Sequence, residues 1–194
     1  RRPADRGGVA ARRGFDECNL DELRAMADSE SSSGFTACTP VTVDAGGVRR
    51  ATAEWFTGDD GVAFQPVSAF PEPGLLEWVT DDVMIERAPS GAYVEEWRRL
   101  PGTRGPLRHL VETTGRHVYV AGTAAVVVRD RPRPVATETR LAELVAACGD
   151  DRDSIVALID CEFSFARRTD DGTYVVEAST LPWQEGTTVD VGLR

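Results

Sequence analysis

LLEWVTDDVMIERAPSGAYVEEWRR, running from Leu75 to Arg99, is the stretch that decides the fold. Its apolar and aromatic residues fall into three short runs, Leu75 to Val79, Val83 to Arg87 and Tyr93 to Arg99, of the composition that suits half-buried strands. Only Thr80 to Asp82 and Ala88 to Ala92 separate them, and the second gap holds Pro89-Ser90-Gly91. Connections this short return the chain antiparallel, because a parallel crossover needs a dozen residues or more.

The same pattern extends outward in both directions. Phe35 to Val43, Val48 to Phe56, Val62 to Gln65, His117 to Val128, Ile155 to Arg167 and Tyr174 to Thr180 read as further strands. Ala45-Gly46-Gly47, Gly58-Asp59-Asp60-Gly61, Pro71-Glu72-Pro73-Gly74 and Asp170-Asp171-Gly172 supply turns. Two helices interrupt this arrangement. Asn19 to Ala27 carries an apolar stripe through Leu20, Leu23 and Met26 or Ala27, and its Asn19/Glu22 spacing is that of a capping box. Glu138 to Cys148 repeats Leu141, Leu144, Val145 and Cys148 at helical spacing, and Gly149 follows as a permissive C-terminal cap. The expectation is a mainly β protein, an antiparallel barrel or sandwich with these two helices and no others. Gly91-Ala92-Tyr93-Val94-Glu95-Glu96 returns as Gly172-Thr173-Tyr174-Val175-Val176-Glu177, so one hairpin design is used twice. Either a duplicated half-barrel or two similar edge hairpins accounts for the match. Arg129 to Pro134 is a rigid, extended connector.

With 41% hydrophobic and 28% charged residues, the 194-residue chain is too apolar to stay disordered and long enough for one domain or two small ones. Its formal charge of −10 disfavours nucleic acid and anionic membranes as partners. All 22 basic residues are Arg, which excludes Schiff-base chemistry and phosphate binding by a protein lysine. Such Arg-for-Lys usage suits a GC-rich bacterial genome. Cys18, Cys38, Cys148 and Cys161 lack the close pairing of zinc ligands, and only His109 and His117 could assist them, so the thiols are expected to be reduced, buried and metal-free. No secretory leader or membrane-spanning apolar run stands out, which favours a cytoplasmic setting, although the chain opens on Arg1 and an upstream piece is expected. Gly-x-Ser-x-Gly, nucleotide-binding and His-Glu-x-x-His patterns do not occur, so no cofactor is expected.

Pro3-Ala4-Asp5-Arg6, the Leu23 to Ala27 helix, Gly34-Phe35-Thr36, Gln65-Pro66, Tyr93-x-Glu95-x-Trp97-Arg98-Arg99, Glu162-Phe163-Ser164 and Ser179-Thr180-Leu181-Pro182-Trp183-x-Glu185-Gly186 occur in that order. The ordered set resembles the bacterial relatives of a lipocalin-like fungal protein that interacts with a casein kinase. The resemblance implies an antiparallel calycin β-barrel, single or in two halves, residues 1–100 and 101–194, the latter with the helix at 138–148. It also implies a first strand upstream of Arg1, and it implies little about activity. Two departures stand out: Ser29 to Ser33 lengthens the loop after the first helix, and Gln184 occupies a position where a basic residue is common.

Alternation along Tyr93 to Arg99 puts Tyr93, Glu95, Trp97 and Arg99 on one face, with the Glu95 carboxylate between two rings. All three of Tyr93, Glu95 and Trp97 are expected to face the interior. Desolvated there, Glu95 could act as a general acid or base, and His117 is the second candidate for proton transfer. Trp55, Tyr93, Trp97, Arg99, Tyr119, Glu162 and Trp183 are candidate ligand contacts, with Arg98 as an alternative to Arg99, while His109 is expected in a solvent-facing connector. Three functions stay open: a barrel that binds a small, mainly apolar organic molecule, a cofactor-independent cyclase, isomerase, lyase or hydrolase of bacterial secondary metabolism, and a protein-interaction module. A homodimer is compatible with each. Elemental analysis of chelator-washed protein is expected to find no stoichiometric zinc or iron, and one metal retained per chain would overturn the metal-free reading.

Overall fold

The computed structural model describes residues 12–57, 61–67, 72–133, 135 and 138–192. The chain divides into two compact units, the first made of Arg1–Ser32, Val62–Val67 and Gly102–Arg194 and the second of Ser33–Gly61 and Ser68–Pro101. Among the described residues the protein is mainly β, with twelve strands in two antiparallel sheets and three α-helices. No helix among them is long and apolar enough to cross a membrane.

The second unit holds β1 (Phe35–Cys38), β2 (Thr42–Val43), β3 (Arg49–Phe56), β4 (Gly74–Trp78), β5 (Val83–Arg87) and β6 (Val94–Arg98). Their order is β1-β3-β4-β5-β6, with β2 also paired to β3. The short gaps read from the sequence do close antiparallel pairs: Trp78 lies opposite Met84, and Glu86 lies opposite Glu95. One face of this sheet is buried and built from small groups, Ala51, Ala53 and Gly74, together with Leu76 and Glu86.

The first unit places α1 (Leu20–Met26), α2 (Leu141–Ala147) and α3 (Arg152–Ile159) beside a sheet of β7 (Leu107–Val111), β8 (His117–Ala121), β9 (Ala124–Arg129), β10 (Glu162–Arg168), β11 (Tyr174–Ser179) and β12 (Thr188–Val189). One core, around Val118, Val120, Val127, Ala166 and Val176, covers one face of that sheet. A second core joins Val128 and Phe163 of the other face to Leu23, Leu141, Val145, Ile155 and Ile159 of the helices. The capping box of α1 is formed as read: the Glu22 amide donates to Asn19 Oδ1 at 2.9 Å, and the Asn19 amide donates to Glu22 Oε2 at 2.8 Å. α2 ends before Gly149, whose φ of +59° supplies the expected cap.

The first unit differs from the sequence expectations at four places. Ile155 to Ile159 is a third helix, not the start of a strand, because Asp151 caps it by accepting from the Ser154 amide and Ile155 and Ile159 bury one face four residues apart. His117 to Val128 is two strands, reversed at Gly122-Thr123, where Gly122 has φ +55° and any Cβ would lie 1.9 Å from the Gly102 carbonyl oxygen. Leu107–Val111 is a strand inside the presumed connector, so His109 is exposed as expected but stands on β7. Val62 to Gln65 forms only an isolated bridge, Ser32 to Ala63, because Phe64 and Gln65 spend their contacts on the helices. The cysteines are free thiols, but Cys38 is exposed while Cys18 and Cys161 are buried. Expectations about Pro3 to Arg6, and the turn at Gly58 to Asp60, lie outside the described residues.

Ile155→Ala removes a fully buried side chain between α3 and the helical core, so it is expected to cost about 2–5 kcal/mol in urea unfolding. A loss within experimental error would place Ile155 outside the core.

Candidate functional site

The buried face of the second unit brings a carboxylate, a phenol and an indole together. The hairpin register sets Glu86 of β5 opposite Glu95 of β6, so two acidic residues share one face as direct cross-strand neighbours. Glu86 is 1% exposed. The Tyr93 hydroxyl donates to its Oε1 at 2.8 Å, while its Oε2 is buried with no hydrogen-bond partner among the described residues. Gly74 explains how the group fits: a Cβ there would stand 2.4 Å from Trp55 Cη2 and 2.9 Å from Glu86 Oε1. Only a glycine on β4 lets the β3 indole and the β5 carboxylate close over the same spot.

Like charges opposite one another and an unmatched buried carboxylate oxygen both destabilise a fold. No ion pair among the described residues offsets them. Tyr93 records the resulting field: burial, its bond to Glu86, and the charges of Glu86, Glu95 and Glu72 push its phenol up to about 12. The site is therefore electronegative, and its own hydroxyl donor is already committed.

The other site candidates fare differently. Trp97 is 46% exposed, not interior, because β6 is an edge strand and leaves that part of the face uncovered. Glu95 and Tyr93 are half-buried. Arg99 is held by Asp82 at 3.1 Å and Arg98 by Glu96 at 2.6 Å, so neither guanidinium reaches Glu86. His117 and Tyr119 belong to the first unit, where His117 Nδ1 lies 3.1 Å from His109 Nε2 and Tyr119 stacks on His109 with ring centroids 4.4 Å apart. Glu162 accepts from Arg116 Nε at 3.1 Å and Nη2 at 3.0 Å and from Ser164 Oγ at 2.9 Å, so its charge is already matched within the chain. Trp183 packs edge-on against Phe15 beside the helical core.

Sequence reading missed Glu86. Counting back across the Pro89-Ser90-Gly91 turn from Glu95 would have found it. An open cleft of about 470 Å³ also lies in this unit, lined by Thr39, Thr42, Arg50, Leu75 and Arg87 among others. It carries less weight, because Arg50 is already paired with Asp44 and Glu77 and the cleft is broadly open.

Phenol titration of wild type against Tyr93→Phe is expected to assign Tyr93 a value near 12, and Glu86→Gln should bring it back toward the ordinary 10. Because the folded value lies above the unfolded one, the stability linked to this group is complete below pH 10 and is lost between about pH 10 and 12. A Tyr93 titrating at 10 in the folded protein would contradict the contact. Comparison with protein-family models, with curated proteins and with solved structures finds no match to this chain.

Proposed function

We propose that the protein binds a small, mainly apolar organic molecule against the β3–β6 face of its second unit. The observation that carries the reading is Glu86, a buried carboxylate with one oxygen committed to Tyr93 and the other unmet. Binding sites are mostly apolar and fix orientation with a few such polar groups. Trp55 supplies a flat apolar wall beside the carboxylate, and Glu95 and the half-exposed Trp97 lie on the same sheet face. The resemblance to lipocalin-like proteins points the same way and belongs to the proposal. A second reading, a protein-interaction module, draws support from Phe35 and Phe56, which pair across β1 and β3 and are 64% and 51% exposed.

Calorimetric screening with a panel of small aromatic and alicyclic compounds, neutral and charged, tests the binding reading. Saturable binding is expected from at least one compound, with affinity falling about tenfold or more in Trp55→Ala through lost apolar contact. No saturable binding across the panel, or unchanged affinity in a folded Trp55→Ala, overturns it.

A further inference from the structure

We propose that the molecule held at this face is an organic cation, an apolar body carrying a protonated amine whose N–H groups reach Glu86 Oε2. This deepens the binding reading and rests on it. The unmet atom is an acceptor, so the complementary ligand atom must be a donor. The hydroxyl at the site, Tyr93, already donates to Oε1 and has no second proton to give. Glu95 stands directly opposite Glu86 on the same face, and among the described residues no arginine is bonded to either carboxylate. A neutral alcohol would satisfy Oε2 yet leave this negative charge uncompensated, and a carboxylate would add to it. An ammonium group meets both requirements at once, and charge-assisted bonds to carboxylate are the strong ones. Trp55, which closes over Gly74 beside Glu86, offers the aromatic surface that attracts such cations. The net charge of −10 favours the approach of cations over anions.

The same geometry separates two buried carboxylates that look alike in sequence. Glu162 is neutralised by Arg116 within the chain, whereas one oxygen of Glu86 is buried with no partner among the described residues.

The test uses matched triads on several skeletons, benzyl, phenethyl, cyclohexylmethyl and naphthylmethyl, each as amine, alcohol and carboxylate, titrated calorimetrically into the full chain at pH 7. On at least one skeleton the amine is expected to bind about tenfold or more tightly than the alcohol, with no detectable binding of the carboxylate. Glu86→Gln should erase the amine preference. Glu95→Gln, at a half-buried position that folding tolerates more readily, should reduce it. If alcohols or carboxylates bind as tightly as amines, the cation assignment fails while the binding reading stands. If no member of any triad binds, both fail. The wild-type comparison decides the matter even where Glu86→Gln does not fold.

Discussion

The carboxamide of Gln65 is the contact on which the first unit depends. Buried among helices, its Nε2 donates to the Ala27 carbonyl at 2.8 Å and the Ser29 carbonyl at 2.7 Å, and its Oε1 accepts from the Leu141 amide at 3.1 Å. Those partners are orphan backbone groups just past the end of α1 and at the start of α2, which helix geometry leaves without intrahelical bonds. Helices of seven residues are marginal alone, so their stability comes from docking, and one amide fixes where two of them dock. Phe64 beside it is fully buried, and Arg131 holds the Phe64 carbonyl at 2.6 Å. A segment that resembled a strand in sequence is thus an irregular wedge, held by side chains and not by a ladder.

Most buried polar side chains among the described residues follow the same accounting, and the two atoms that do not are Glu86 Oε2 and Arg131 Nε. Glu162, 2% exposed, receives a two-pronged guanidinium and a serine hydroxyl, and Ser164 continues to Ser179 at 2.8 Å. Every step of that network matches donor to acceptor, which is what low-dielectric surroundings demand. Glu86 departs from the rule, with one hydroxyl partner and a second carboxylate opposite. Folded proteins keep such mismatches where function needs them.

Local signals are legible in the sequence. The Asn19/Glu22 box, the stripe of α2 with Gly149 behind it, and the hairpins from Leu75 to Arg98 each depend on residues within a few positions of one another. α3 is ambiguous in the sequence because Ile155-Val156-Ala157-Leu158-Ile159 suits strand and helix alike, and the deciding cap at Asp151 lies outside the apolar run. The reversal at Gly122 was hidden by continuous β-branched residues, and only the approach of the Gly102 backbone reveals why glycine is required there.

The candidate site divides along the same line. By itself the sequence determined which side chains of Tyr93 to Arg99 share a face, since alternation follows from the pleat of any strand. It also determined the acidic charge, the absence of lysine and the antiparallel hairpins. Tertiary structure alone decided that Trp97 stands half in solvent, because exposure depends on β6 lying at the sheet edge. It alone decided that Glu86 is buried with an unmet oxygen while Glu162 is neutralised, because Arg116 reaches Glu162 from 46 residues away whereas, among the described residues, only the Tyr93 hydroxyl of the adjoining hairpin reaches Glu86. Local preference is written residue by residue, but burial and charge balance belong to the neighbours that folding brings together.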